Sequence, residues 1–164
     1  MREKYIDLLL NKCTDLSKSK ILFIHYRKES KDFVDELVIK AREFGFEEFY
    51  LNENDPYKTH EILLNSTLEE IEKSDYFDES IWDEYAKRYA SFLMLDTEYP
   101  GLMADIDPKK IGLSTKRRRQ TRPIYRKMAQ NGEISWCIAA YPGEVWAKEL
   151  FPGDEAAYQK LEDA

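Results

Sequence analysis

The chain has 164 residues, which allows one domain with a substantial core and is short for two. Hydrophobic residues make up 43% and aromatic residues 13%, so a disordered or low-complexity chain is excluded although 35% of the residues are charged. The net charge of −7 argues against general nucleic-acid affinity. That charge is uneven, since residues 1–105 hold 14 Lys and Arg against 24 Asp and Glu, and residues 106–164 hold 11 against 8.

The first third of the chain has the pattern of a strand, a helix and a second strand. After an opening helix around residues 5–10, the apolar residues 21–24 predict a buried strand. Ser30 is a candidate N-cap for an amphipathic helix that ends at Gly45. Residues 46–51 predict the next strand. The two strands are expected to be parallel neighbours, because the crossover between such strands is right-handed.

The middle of the chain, residues 52–90, is acidic, and its patterns predict helices and no strand. Trp82, Tyr85 and Tyr89 recur at helical spacing, and a core face is favoured over an aromatic ligand box. Residues 91–95 then predict a third strand.

The last third repeats the strand-helix-strand pattern. Asp107 and Pro108 open a helix that Pro123 must break or kink. The apolar run of residues 134–140 predicts a strand that is buried on both faces, and residues 144–150 predict a short helix. The expected fold is one three-layer α/β domain over residues 1–164, with a mostly parallel sheet of four or five strands and helices on both faces.

Polar residues at the carboxyl ends of the predicted strands are the first candidates for a site, since ligands of open α/β sheets collect there. His25 ends the first strand, Asp96 and Glu98 follow the third, and Tyr141 follows the last. A metal cluster at this edge is not favoured because HExxH and similar spacings are absent. We expect Asp96 and Glu98 to be solvated or capping, and His25 to be hydrogen-bonded.

The two cysteines predict no special chemistry. Cys13 and Cys137 have neither CxxC nor Cys/His spacing, so we expect no zinc site and no disulfide framework. The thiol of Cys137 is expected to be unreactive and part of the core. A reducing, cytoplasmic compartment is expected. No apolar run approaches the roughly 20 residues that span a bilayer, so a membrane partner is not expected.

A basic run is the remaining charged feature of the sequence. It consists of Lys116, Arg117, Arg118, Arg119, Arg122, Arg126 and Lys127. A solvated face, or ion pairs to the acidic middle of the chain, is the favoured interpretation. Contact with another domain or a second copy is the next, with Arg117 as the main candidate. Nucleic acid is the least favoured, because aromatic residues are not interleaved with the basic ones.

The segment of residues 122–137 resembles the metallo-aminopeptidases of peptidase family M29. The spacing of Pro142, Trp146 and Ala147, followed by Phe151 and Pro152, carries the same resemblance. The likeness is to the amino-terminal domain of these thermophilic-type enzymes and extends over essentially the whole chain.

This resemblance implies an exopeptidase with two divalent metal ions, zinc, cobalt, magnesium or manganese, in a homodimer that acts on peptides. The family's metal ligands and general base belong to a carboxy-terminal catalytic domain and have no counterpart in this sequence. The chain is therefore expected to be a non-catalytic domain that caps the active-site cavity, with no catalytic or metal residue. Its candidates for cavity or domain-interface residues are His25, Asp96, Arg117 and Tyr141. The alternative is a free-standing α/β module that binds a small anion on the Arg-rich helix.

Overall fold

A computed structural model describes residues 2–163, which fold around one four-stranded parallel sheet. Its strands are β1 (Ile21–Arg27), β2 (Glu48–Asn54), β3 (Ser91–Asp96) and β4 (Trp136–Ala140). The α-helices within the described residues are α1 (Arg2–Cys13), α2 (Lys31–Phe44), α3 (Pro56–Asn65), α4 (Leu68–Lys73), α5 (Ser80–Lys87), α6 (Pro108–Gln120), α7 (Pro123–Gln130), α8 (Glu144–Leu150) and α9 (Ala157–Asp163). None of these helices combines the length and apolar character needed to cross a membrane.

The strand order β2-β1-β3-β4 places a topological switch point between β1 and β3. The chain leaves β1 for β2 through α2, and leaves β3 for β4 through α6 and α7 in the opposite direction. Right-handed crossovers that run in opposite directions put their helices on opposite faces of the sheet. Hence α1 and α2 cover one face while α5 and α7 cover the other. This confirms the three-layer α/β prediction, with four strands that are all parallel.

Three hydrophobic clusters hold these layers together. Strand residues point alternately to the two faces, so Leu22 and Ile24 join the cluster under α1 and α2, and Phe23 joins the one under α5 and α7. A smaller cluster lies between α3, α4 and α6, outside the sheet, and includes Leu63 and Phe77. This third cluster anchors the helical insertion beside the carboxyl end of the sheet.

Most of the predicted helix boundaries are confirmed by their local chemistry. The Asp107 carboxylate accepts a hydrogen bond from the Lys109 backbone N–H at 2.8 Å, with Pro108 at the first position of α6. Gly45 ends α2 at φ 123°, and Pro123 starts a separate helix. The cap at Ser30 differs from expectation, because its hydroxyl donates to the Arg27 carbonyl instead of accepting from α2.

The prediction that the last strand is buried on both faces is wrong. Strand β4 is an edge strand, and Trp136 and Ile138 remain 49% and 61% exposed on one face of it. The core prediction for Tyr89 is also wrong, since this residue follows α5 with φ 56° and is half exposed, whereas Trp82 is fully buried. The prediction that residues 52–90 hold no strand is wrong for the first three of them, since β2 continues to Asn54.

The two cysteines are in contact, which the sequence did not indicate. Cys13 ends α1, Cys137 lies in β4, and their sulfur atoms are 2.7 Å apart. Burial, together with the neighbouring thiol, raises the pKa of Cys13 to about 12. Cys137 itself is half-buried, and it lies beside this second thiol instead of among apolar side chains alone.

The loop between β4 and α8 passes close to the end of β3. A Cβ atom on Gly143 would overlap the Glu29 carboxylate and the hydroxyl of the buried Thr97. A glycine is therefore required at this point by close approach. Its neighbour Tyr141 is held by a 2.7 Å hydrogen bond from its backbone N–H to the Asp96 carbonyl.

Candidate functional site

The carboxyl ends of β1 and β3 bring several polar side chains to one side of the sheet. Residues two apart on a strand share a face, so His25 and Arg27 point to the side covered by α5 and α7. Asp96 occupies the equivalent face of β3, since Phe92 and Met94 also point that way. These ends meet at the switch point, where parallel α/β sheets bind their ligands.

A row of hydrogen bonds crosses the sheet edge at this point. Arg27 lies opposite Asn54 in the β1-β2 register and donates from Nη1 to its Oδ1 at 3.0 Å. Arg27 Nε and Nη2 also donate to Asp96 Oδ1, at 3.2 and 2.9 Å. The same oxygen accepts the Thr97 backbone N–H at 3.1 Å. Asp96 Oδ1 therefore carries all three bonds, and Oδ2 accepts none from residues 2–163.

A buried ion cluster forms the wall of the site next to α5. Arg118 Nη1 donates to Glu79 Oε1 at 2.9 Å. Arg122 Nε lies 2.9 Å from Glu79 Oε2, in a direction that makes the contact an ion pair and not a hydrogen bond. The Glu79 side chain is only 10% exposed. The two guanidinium groups lie over aromatic rings, Arg122 over Trp82 at 4.5 Å and Arg118 over Phe77 at 5.1 Å.

His25 lies between these two groups of charges. Its Nδ1 is buried and has no hydrogen-bond partner within residues 2–163. Burial and three nearby positive charges together lower the pKa of His25 from its ordinary value of 6.5 to about 4. These charges belong to Arg27, Arg118 and Arg122. The imidazole is therefore neutral at pH 7, and the expectation that it is hydrogen-bonded is wrong for Nδ1.

These groups surround a cavity of about 370 Å³, which we call the sheet-edge cavity. Its charged and polar wall includes His25, Arg27, Asn54, Glu79, Asp96, Glu98 and Arg118. Its apolar wall comes from the helical insertion and the loop after β3, and includes Pro56, Leu63, Leu102, Met103 and Ile111. A polar wall opposite an apolar wall is the usual construction of a small-molecule site.

The structure brings together two of the four residues that the sequence singled out. His25 and Asp96 line the sheet-edge cavity. Tyr141 lies on the other face of the sheet, where its ring packs 5.1 Å from Phe33. Arg117 is directed to the insertion, with its guanidinium 3.7 Å from Asp78.

The ion pairs confirm the favoured interpretation of the basic run for three of its members. Arg117, Arg118 and Arg122 pair with Asp78 and Glu79, which lie in the acidic middle of the chain.

Sequence reasoning missed Glu79 and Arg27. The signal for Arg27 was present, because it lies two residues after His25 and so on the same face. Nothing local marked Glu79, whose contacts reach 39 residues along the chain to Arg118.

Comparison with known proteins identifies the family of the chain. The sequence profile described as "Thermophilic metalloprotease (M29)" matches residues 1–164. The chain belongs to the M29 family. Aminopeptidase 2 from Geobacillus stearothermophilus is 26% identical over 99% of this chain and 40% of its own length. Aminopeptidase AmpS from Bacillus subtilis is 24% identical over 91% of this chain and 36% of its own length.

A solved structure supports the fold of this M29 chain. Wild-type AmpT from Thermus thermophilus matches it with a TM-score of 0.85 at 22% identity, over 99% of this chain and 41% of AmpT. The chain thus spans about 40% of the length of the proteins it matches.

The metal ions that the M29 family implies do not fit the residues of the sheet-edge cavity. Within residues 2–163 no group of three or more His, Cys, Asp or Glu side chains is placed to hold a metal ion. The Arg27 guanidinium already occupies Asp96 Oδ1, and three of the four charged groups that act on His25 are arginines. A two-metal centre needs several carboxylate or imidazole ligands that converge on one bridged water. We therefore derive no catalytic step through a metal in this chain.

Proposed function

We propose that this chain is the non-catalytic amino-terminal domain of a metal-dependent aminopeptidase, a hydrolase that removes amino-terminal residues from peptides. The observation that carries the proposal is the M29 match over residues 1–164 in a chain that spans only 40% of Aminopeptidase 2. The remaining length of such a protein would provide the ligands for two divalent metal ions, which would polarise a carbonyl and activate a water.

We propose that the domain caps the peptidase cavity and packs against the catalytic domain. Apolar surface of this chain supports that role. Trp136 and Ile138 are exposed on the edge strand. A groove of about 410 Å³ between α1, α8 and α9 is lined by apolar groups that include Tyr5, Phe33 and Trp146. These are two separate apolar surfaces, and exposed apolar surface is what interaction sites of soluble proteins use.

The longer protein is also proposed to be a cytoplasmic homodimer. Sedimentation equilibrium of that protein measures its mass directly. A mass of two chains is expected, and a single-chain mass would contradict the assembly without changing the domain assignment.

The capping role is tested in the longer protein by a substitution at the sheet edge. Asp96→Ala is expected to change the ratio of kcat/KM between a dipeptide and a longer peptide by about threefold or more, with unchanged bound metal. Glu69→Ala, in an exposed ion pair on α4, is the control and is expected to change neither quantity. Loss of metal in Asp96→Ala would contradict the proposal, because it would place a metal ligand in this domain.

A further inference from the structure

The sheet-edge cavity presents an unused cationic donor. Arg118 Nη1 is held by Glu79, which fixes the orientation of the guanidinium. Arg118 Nη2 makes no hydrogen bond to any residue in the described part of the chain, and Arg118 lines the cavity. A guanidinium fixed in this way is suited to a carboxylate, since its donors form a rigid planar fork.

The cavity also presents unused acceptors for a cation. Asp96 Oδ2 is free of the bonds that occupy Oδ1. Glu98 is exposed, lines the same cavity and forms no ion pair within residues 2–163. A carboxylate oxygen beside a second carboxylate is a favourable partner for an ammonium group.

The charge balance of the wall selects the overall charge of a ligand. Arg27 and Arg118 of the lining, with Arg122 that shares Glu79 behind it, stand against Glu79, Asp96 and Glu98, so three positive groups balance three negative ones. Such a balanced wall gives no net attraction to a ligand that carries only one sign of charge. It accepts a ligand whose positive and negative groups cancel.

A second independent observation points to a bound group at this place. His25 lines the cavity, and its buried Nδ1 lacks a hydrogen-bond partner in the described residues. An unpaired buried ring nitrogen is destabilising, so a ligand that supplies the missing partner gains affinity from it.

We propose that the sheet-edge cavity binds a free α-amino acid with an apolar side chain. Its carboxylate pairs with Arg118 Nη2, and its ammonium group pairs with Asp96 Oδ2 and Glu98. The side chain lies against the apolar wall that includes Leu63 and Ile111. That such amino acids are the products of the longer protein rests on the proposed function, whereas the binding itself does not. A small anion, the alternative ligand of this domain, is disfavoured because Arg117, Arg118 and Arg122 are already paired with Asp78 and Glu79.

Isothermal titration of the 164-residue chain, treated with EDTA at pH 7, tests the proposal. L-leucine is expected to bind saturably at one site. Glycine, L-leucinamide and N-acetyl-L-leucine are each expected to bind at least about tenfold more weakly, because each lacks one of the three recognised groups. Absence of saturable binding by about 10 mM L-leucine, or binding of either capped derivative as tight as that of L-leucine, would overturn the proposal. Tighter binding of inorganic phosphate would instead establish the anion module.

Two substitutions in the lining test whether the ligand binds in this cavity. Asp96→Asn and Arg118→Gln are each expected to weaken L-leucine binding by about tenfold or more, and Lys148→Gln, in an exposed pair on α8, is expected to leave it unchanged. Asp96 is half exposed, so the Asp96→Asn variant is expected to fold even where Arg118→Gln does not, and it still tests the site. Unchanged affinity in Asp96→Asn would refute the assignment.

This titration is independent of the proposed function. No leucine binding by a chain that is also inactive and metal-free would overturn only the cavity assignment. Metal-dependent hydrolysis by the chain would overturn only the proposed function.

Discussion

Replacing Glu79 by glutamine removes the one negative charge that two guanidinium groups share. The Glu79 side chain is 10% exposed, and those of Arg118 and Arg122 are 21% and 22% exposed. Removing one partner of a buried ion pair destabilises proteins by about 3–5 kcal/mol. Because both arginines keep some contact with water, we take the lower end, about 3 kcal/mol, for the loss in unfolding free energy.

Thermal unfolding measures this effect. For a domain of this size about 3 kcal/mol corresponds to a fall of about 6–12 °C in Tm. The difference should persist in about 0.5 M salt, because buried pairs are screened weakly. Glu144→Gln removes the same charge from an exposed pair with Lys148 and should leave Tm within about 2 °C. A Glu79→Gln variant as stable as the wild type would refute the account of this cluster.

Three further predictions concern the thiol pair, the buried imidazole and a close backbone approach. The oxidant diamide should take one hydrogen atom from each of Cys13 and Cys137 and join them in a disulfide, which mass spectrometry detects. The crosslink should raise the unfolding free energy by up to about 5 kcal/mol through loop closure. A native protein that is not crosslinked would contradict the contact. Because the folded-state pKa of His25 is lowered to about 4, its neutral form stabilises the fold above pH 6.5, and about 3 kcal/mol is lost as pH falls to 4. A His25→Gln variant should lack this component in denaturant unfolding, and an identical pH dependence would contradict it. Gly143→Ala should lower the unfolding free energy by about 1–3 kcal/mol, because the new methyl group overlaps Glu29 and Thr97. Gly112→Ala, in the open middle of α6, should raise it by about 0.5–1 kcal/mol. Equal effects of the two substitutions in chemical denaturation would refute the close approach at Gly143.

The layers of the fold were predictable because they follow from local periodicity. Apolar runs at residues 21–24 and 91–95 marked the central strands, and glycine or proline marked helix ends such as Gly45 and Pro123. The burial of β4 was not predictable in this way. An apolar run shows only that a segment is hydrophobic, whereas the edge position of β4 depends on the direction of the β3-to-β4 crossover. That edge position leaves Trp136 and Ile138 exposed.

Only those residues of the candidate site that lie at the carboxyl ends of strands could be predicted from the sequence. His25 and Asp96 follow neighbouring parallel strands, so their shared cavity follows from the topology. The bond from Arg27 to Asp96 also requires the β1-β3 register, which the sequence does not specify. The position of Glu79 depends on how α5 packs beside α6 and α7, and the contact of the two cysteines joins positions 124 residues apart in the chain. Such contacts come from the tertiary structure and leave no local signal.

The most direct test of the central claim is the hydrolysis of leucyl-p-nitroanilide by this 164-residue chain with and without added cobalt or zinc, together with its metal content after dialysis. The account predicts no metal-dependent turnover and no tightly held metal, because the residues at the sheet edge pair with arginines and do not converge as ligands. Metal-dependent turnover with a stoichiometric metal ion would contradict the account and place catalytic chemistry in this domain.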